Sequence, residues 1–125
     1  MAGPGEKRRA MSEYLVLIYG DEKAFADGGQ ELQDSVMKGH MTFGETNGDK
    51  LRGGNALQGS DTATSIRPDG NGGFTVTDGP FLETKEVLGG YYLIEADDLD
   101  SAIAIAKQIP SPSGGLEVRP IMVFG

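Results

Sequence analysis

His40 is the only histidine of the sequence, and its side chain is the one whose ordinary pKa lies nearest to neutral pH. The spacing of apolar residues places it near the edge of the apolar stripe of a predicted helix, where a ring can reach both the core and a cleft. A histidine that acts as a general base needs a second group to orient its other ring nitrogen, and Asp78 is the candidate for that group. His40 and Asp78 are therefore predicted to form a catalytic acid-base pair. A partly buried structural histidine is the alternative.

Asp78 begins a tight turn that is followed by a cluster of charged side chains. Asp78-Gly79-Pro80 suits a turn because Asp bonds downstream amides, Gly permits unusual φ angles and Pro fixes the next residue. A purely structural turn is thus the alternative for Asp78, and Phe81 is expected to anchor the loop in the core. If Lys85 points into a cleft, it can pair with an anionic substrate group, whereas a solvated surface with weak ion pairs is the alternative. The predicted substrate-binding residues are Lys85, Glu83, Arg67 and Arg119.

The composition excludes several classes of partner and site. The chain has 11 Lys and Arg against 19 Asp and Glu, and its formal charge of -8 repels nucleic-acid phosphates and anionic membrane surfaces. A local basic pocket is compatible with that charge, so a small anionic ligand stays among the candidates. With no Cys there is no disulfide framework and no thiolate metal site, and no His/Asp/Glu cluster has metal-ligand spacing. Because no phosphate-binding or dinucleotide-binding loop is present either, no metal and no cofactor is predicted.

The 125 residues, 38% of them hydrophobic, suit one domain with one core. Residues 1–12 are predicted to be a flexible N-terminal extension and residues 13–125 the folded domain, because the chain opens on a segment rich in Gly, Lys and Arg. That segment has no apolar stretch resembling a signal peptide, and the longest apolar run of the chain is far shorter than the ~20 residues of a membrane helix. A cytoplasmic location is expected, and the lack of Cys agrees with it.

The hydrophobic spacing predicts two helices. The first is assigned to residues 30–43, because Gly28-Gly29 breaks or delays the helical pattern before them. The second begins at Asp97 or Asp98, either of which can accept hydrogen bonds from the exposed amides of a first helical turn. It ends before Pro110.

Short apolar runs predict the strands, and their order indicates the fold class. Turn residues at 68–73 predict a hairpin, and Pro120 marks the last strand as an edge or irregular strand because it lacks an amide donor. The order of strands and helices indicates an α+β sandwich of ferredoxin-like type. The predicted strands are residues 14–19, 51–59, 62–67, 74–77, 91–96 and 116–124.

Two helices can cover only one face of such a sheet. Residues 14–19, 91–94 and 121–124 are apolar at successive positions, so the second face is also expected to be buried. Leaving several such side chains in water would cost many kcal/mol at ~25 cal/mol per Å² of apolar surface. A symmetric partner stacked sheet on sheet resolves this, and a homodimer is predicted.

Four short motifs carry a family resemblance. They are Asp78-Gly79-Pro80-Phe81, Glu83-Thr84-Lys85-Glu86, Gly89-Gly90-Tyr91-Tyr92 and Glu117-Val118-Arg119-Pro120. With these motifs the chain resembles the YCII-related proteins of the DGPF type over about residues 13–124. The resemblance implies a dimeric α+β barrel of ferredoxin-like subunits, a His and an Asp as a catalytic pair in the broader group, and for some members a link to extracytoplasmic-function sigma factors. The Gly-rich first helix departs from the common pattern, which bears on the role of His40.

Three functions compete for this sequence. The first is a cofactor-free proton-transfer enzyme of isomerase or lyase type, with His40 as base and Asp78 as its partner. The second is a non-catalytic small-molecule-binding or regulatory module linked to a sigma-factor transcription pathway, and the third is a purely structural dimer. A small polar pocket is expected between the sheet and the loop at residues 78–88. His40 and Asp78 in one solvent-reachable cavity would favour the enzyme.

Overall fold

The computed structural model describes residues 11–124. Most of the predicted flexible extension, residues 1–10, lies outside the described residues. The helices are α1 (Glu22–Asp27), α2 (Gly29–Asn47) and α3 (Leu99–Ala106), and a 3-10 turn spans Ser60–Thr62. The strands are β1 (Ser12–Asp21), β2 (Leu51–Ala56), β3 (Thr64–Pro68), β4 (Phe74–Asp78), β5 (Glu86–Ala96) and β6 (Gly114–Pro120).

Four of the strands form one antiparallel sheet in the order β2-β5-β1-β6. Strands β3 and β4 pair with each other in a separate antiparallel hairpin inserted between β2 and β5. This arrangement confirms the predicted α+β class and is consistent with a ferredoxin-like fold. It also places the ends of β1 and β2 beside the beginnings of β5 and β6, because antiparallel neighbours run in opposite directions.

The core lies between one face of the sheet and the helices α2 and α3. Alternate residues of a strand point to the same face, and those of β1 and β5 that face the helices are buried. Phe43 from α2 is 1% exposed and packs among them. The buried core residues are Tyr14, Val16, Phe43, Ile94, Ala96, Ala102, Ala106 and Ile109.

The helix boundaries follow from local chemistry. The predicted break at Gly28-Gly29 separates α1 from α2, and Gly29 has a φ of 69°, which disfavours a side chain there. Helix α2 is longer than predicted and ends at Asn47, whose buried side-chain amide donates to Phe43 O at 3.1 Å and to Gln108 Oε1 at 3.0 Å. Asp98, rather than Asp97, caps α3 and accepts a 2.8 Å hydrogen bond from Ser101 N.

Four predicted strand boundaries are clearly wrong, and one of them is the beginning of β5, which lies at Glu86 rather than residue 91. Strand β2 ends at Ala56 rather than residue 59, and the 3-10 turn occupies the predicted beginning of β3. The last strand ends at Pro120 rather than residue 124. The Ile121 amide still donates to Glu13 O at 2.9 Å, but β1 begins at Ser12 and offers almost no further residues to pair with. As Pro120 predicts, β6 is an edge strand of the sheet.

The second face of the sheet is only partly covered in one chain. Leu15 and Leu93 are cross-strand neighbours on this face and are partly exposed, whereas Val16 on the helix face is fully buried. The hairpin also exposes apolar side chains, with Phe74 67% and Val76 64% exposed. No helix within residues 11–124 is long and apolar enough to cross a membrane.

Candidate functional site

A cleft of about 770 Å³ opens at the end of the sheet where β1 and β2 end and β5 and β6 begin. Helix α2 and the turn at residues 110–113 form its other walls. Much of its lining is apolar or aromatic, including Phe25, Val36, Leu57 and Tyr91. Its size is within the range of small-molecule sites in proteins.

His40 lies on the wall of this cleft and shares a hydrogen bond with Tyr92. The distance from His40 Nδ1 to Tyr92 Oη is 2.8 Å, and the two ring centroids are 5.8 Å apart. The Tyr92 ring packs in turn on buried Phe43, with centroids 4.8 Å apart. Because Phe43 is fixed in the core, it holds Tyr92, and Tyr92 positions the imidazole.

Burial makes both members of this pair favour their uncharged forms. It lowers the pKa of His40 from its ordinary value of 6.5 and raises the pKa of Tyr92 from its ordinary value of 10.0. At neutral pH the cleft therefore presents a neutral imidazole and a neutral phenol. A neutral imidazole donates through one ring nitrogen and accepts through the other, and the bond to Tyr92 fixes which nitrogen faces that hydroxyl.

Two glycines let the elements around the pair approach closely. Gly54 in β2 lies opposite Tyr92 in β5, and a Cβ atom there would be 2.7 Å from Tyr92 Cδ1. Gly39 precedes His40 in α2, and a Cβ atom there would be 2.5 Å from Pro110 Cγ. Because Gly54 has no side chain, the Tyr92 ring can pack against β2. Because Gly39 has none, the turn at residues 110–113 can pack against α2.

The remaining polar groups of the cleft are mostly engaged within the protein. Asn55 Nδ2 donates to Tyr91 Oη at 2.9 Å, and the strand register places both of these side chains on the second face of the sheet. The Glu22 carboxylate accepts from Ser60 Oγ at 2.5 Å and from Ser60 N at 2.8 Å, and these bonds lower the pKa of Glu22. The Ser111 hydroxyl is buried and has no hydrogen-bond partner among residues 11–124.

Asp78 lies apart from His40 within one chain. It ends β4 on the hairpin, is exposed, and is absent from the lining of the cleft. The carboxylate has no hydrogen-bond or ion-pair partner among the described residues. The turn after it is held by other groups, since Gly79 has a φ of 106° and its amide donates to Ala63 O at 2.7 Å. In one chain the structure therefore joins His40 to Tyr92 and leaves Asp78 on the hairpin.

Lys85 and Glu83 line a second, shallower cleft of about 460 Å³. Lys85 Nζ lies 3.8 Å from Asp21 Oδ2, so its charge is partly paired inside the protein. Carboxylates outnumber ammonium groups along this cleft, which disfavours an anion there. The acidic and basic lining residues are Asp21, Glu22, Asp61, Glu83, Lys23 and Lys85.

Arg67 and Arg119 lie outside both clefts and each has a partner of its own. The Arg67 guanidinium lies 3.7 Å from the centroid of the Phe81 ring and bonds Phe81 O at 3.4 Å. Arg119 is ion-paired with Glu117 on the second face of the sheet. The expectation that Phe81 anchors its loop in the core is wrong, because Phe81 is 55% exposed and stacks under Arg67 instead.

Tyr92 is the site residue that the sequence analysis missed. Its position two residues before buried Ile94 puts it on the helix face of β5, where a tyrosine hydroxyl needs a hydrogen-bond partner. The two-residue periodicity of this strand therefore predicts a tyrosine hydroxyl that needs a partner on the helix side of the sheet. Within residues 11–124 no group of three or more His, Asp or Glu side chains could hold a metal ion.

Comparison with known proteins identifies the family. The family model of the YCII-related domain matches residues 12–125, so the chain belongs to the YCII-related family. A similar protein from Rhizobium meliloti (strain 1021), described as uncharacterized, is 34% identical over 116 residues, which cover 89% of this chain and 93% of that protein. The predicted resemblance is confirmed.

Proposed function

We propose that the cleft binds a small molecule and that His40 exchanges a proton with it. The observation that carries this proposal is the 2.8 Å hydrogen bond between His40 Nδ1 and Tyr92 Oη at the cleft wall. An acid-base histidine needs an oriented ring and an environment that keeps it near neutrality. Tyr92 supplies the orientation, and burial lowers the pKa of His40.

The proposed chemistry is proton transfer next to a carbonyl group. When Nδ1 carries the proton and donates it to Tyr92 Oη, the other ring nitrogen has a free lone pair and removes a carbon-bound proton. The imidazolium then returns that proton to a different carbon, which completes an isomerisation. Departure of a leaving group from the neighbouring carbon completes an elimination instead.

Exchange of carbon-bound hydrogen tests the proposal without knowledge of the natural substrate. Uncharged cyclic ketones and lactones are incubated with the protein in deuterated water, and NMR follows deuterium uptake next to the carbonyl. Because general acid-base catalysis contributes about 10²–10⁴-fold, His40→Gln is expected to reduce the protein-dependent exchange at least tenfold. Exchange that is equal in the wild type and His40→Gln would refute the assignment of His40.

Two further variants separate the partners of His40. Tyr92→Phe keeps the ring on Phe43 and removes only the hydroxyl, so a fall in exchange with an intact fold assigns orientation to Tyr92. Asp78→Asn is the test of the predicted His-Asp pair. Exchange that survives Tyr92→Phe and disappears in Asp78→Asn would restore that pair, with Asp78 reaching the cleft in another state or from a second chain.

A non-catalytic binding or regulatory module is the second candidate. It is favoured by the absence, within residues 11–124, of any charged group hydrogen-bonded to His40. A regulatory module serving a sigma-factor pathway would bind its effector in the same cleft without chemistry. Ligand-induced thermal stabilisation with no deuterium uptake would support this candidate over the enzyme.

We further propose that two chains associate through the second face of the sheet as a dimeric α+β barrel. The support is the partly exposed apolar pair Leu15 and Leu93, which adjoins Arg119 across β1 and β6. The exposed tail adds apolar surface, with Met122 72% and Phe124 84% exposed. Burial of such a surface against a symmetric copy removes it from water.

A further inference from the structure

The hydrogen-bonding side chains that face the cleft are mainly uncharged. His40 and Tyr92 favour their neutral forms, and Gln33 adds an amide at a position seven residues before His40 on the same side of α2. No Lys or Arg side chain lines this cleft anywhere in residues 11–124. An anion placed here would therefore lose its hydration without gaining an opposite charge, which is costly in a mostly apolar environment.

Two carboxylates on the lining act against anions as well. The Asp21 side chain accepts a 3.1 Å bond from Ala24 N and lies near Lys85, and the Glu22 side chain accepts both of its bonds from Ser60. Their hydrogen-bonding positions are largely used, so they are poor ligands for an incoming cation. Their negative charge nevertheless repels an incoming anion.

We infer that the cleft selects an uncharged, largely apolar molecule that carries a hydroxyl or carbonyl group, and that it rejects carboxylates. This inference rests on the proposed site and names the substrate class for it. The aromatic and aliphatic walls contact the body of the molecule, and the neutral polar groups bind its single oxygen. The competing hypothesis is the small anionic ligand that the sequence analysis kept among the candidates.

Three probes of one shape and different charge test the inference. They are p-cresol, p-toluate and 4-methylbenzylamine, of which p-cresol is neutral at neutral pH because a phenol has a pKa of about 10. His40 is the only histidine, so its imidazole resonances report binding at the cleft without assignment ambiguity. At about 0.01 M salt, where the Debye length is about 30 Å, p-cresol is expected to bind about tenfold more tightly than p-toluate.

A pair of charge variants separates the local field of the cleft from the net charge of the chain. Glu22→Gln and Glu31→Gln each remove one negative charge, but only Glu22 lines the cleft. Glu22→Gln is expected to reduce the ratio of the p-cresol affinity to the p-toluate affinity about threefold, because one nearby charge then no longer repels the carboxylate of p-toluate. Glu31→Gln should leave that ratio of affinities unchanged.

The outcomes are decisive for the ligand class and independent of catalysis. Tighter binding of p-toluate or of 4-methylbenzylamine than of p-cresol overturns the inference, as does the absence of any shift in the His40 resonances. If both Glu→Gln variants change the affinity ratio equally, the proposal that the Glu22 carboxylate repels anions from the cleft is wrong. Binding of p-cresol by a protein that exchanges no carbon-bound proton refutes the acid-base proposal and leaves the ligand class standing.

Discussion

At the scale of single residues, the position of the His40 ring decides its protonation state. The ring is partly buried beside Tyr92 and Phe43, and burial disfavours the imidazolium. The unfolded chain has no such burial, so its histidine binds a proton more readily than the folded one does. The folded state is therefore penalised when the pH falls far enough to protonate the unfolded histidine.

The stability of the protein is expected to fall between neutral and mildly acidic pH because of His40. Its pKa in the folded state is lowered from 6.5, so the contribution is fully present above about pH 6.5 and decreases as the pH falls towards the lowered value. Urea unfolding at about pH 7.5 and about pH 5.5 measures the free energy of unfolding at each pH. The decrease between the two pH values should be smaller in His40→Gln than in the wild type. The low pKa values of Glu22 and Asp69 act only in a more acidic range. An identical pH dependence in His40→Gln would contradict the burial of the ring.

At the scale of elements, the approach of β2 to β5 positions Tyr92. Gly54 and Tyr92 are partners in the register of these strands, and a Cβ atom on Gly54 would also lie 2.8 Å from Tyr91 O. A side chain on Gly54 would therefore have to displace either the Tyr92 ring or the β5 backbone, and both of these border the cleft. The neighbouring Gly53 has much more room, since a Cβ atom there would have Leu93 Cβ nearest, at 3.9 Å.

Alanine is expected to destabilise the fold at Gly54 but not at Gly53. Gly54→Ala should destabilise the fold by about 1–3 kcal/mol through overpacking and should shift the His40 resonances, because Tyr92 moves. Gly53→Ala should be neutral or slightly stabilising, since it removes backbone freedom from the unfolded chain without a clash. Urea unfolding and NMR of the imidazole measure both effects. Equal stability of the two variants would show that the β2 backbone relaxes and does not constrain the tyrosine.

The sequence predicted the elements better than it predicted how they meet. The break at Gly28-Gly29, the cap at Asp98 and the edge position of β6 follow from local chemistry, which a short segment contains in full. The pairing of His40 with Tyr92 depends on how α2 packs on β5, which brings together residues 52 positions apart, and no local pattern encodes that packing. The turn motif predicts a site role for Asp78, but the hairpin that carries this residue forms a separate sheet.

At the scale of the whole molecule, the sheet has one face packed by helices and one face with partly exposed apolar side chains. Leu15 lies between Leu93 on β5 and Arg119 on β6, so the centre of the second face is apolar and its edge is charged. Such a face is costly to leave in water, and a second copy presents a complementary surface by symmetry. The proposed dimer therefore depends on Leu15 more than on any surface residue of the helices.

Leu15→Glu is expected to convert the proposed dimer into a folded monomer. A carboxylate at this position cannot be buried between two sheets without a large desolvation cost, but in a monomer it is hydrated and lies next to Arg119. Leu99→Glu is the matched control, because Leu99 is 47% exposed at the beginning of α3, where an acidic residue suits the helix dipole. Sedimentation at micromolar concentration should show dimers for the wild type and Leu99→Glu and monomers for Leu15→Glu, with circular dichroism verifying the fold. A monomeric wild type would refute the dimer, and a dimeric Leu15→Glu would move the interface away from this face.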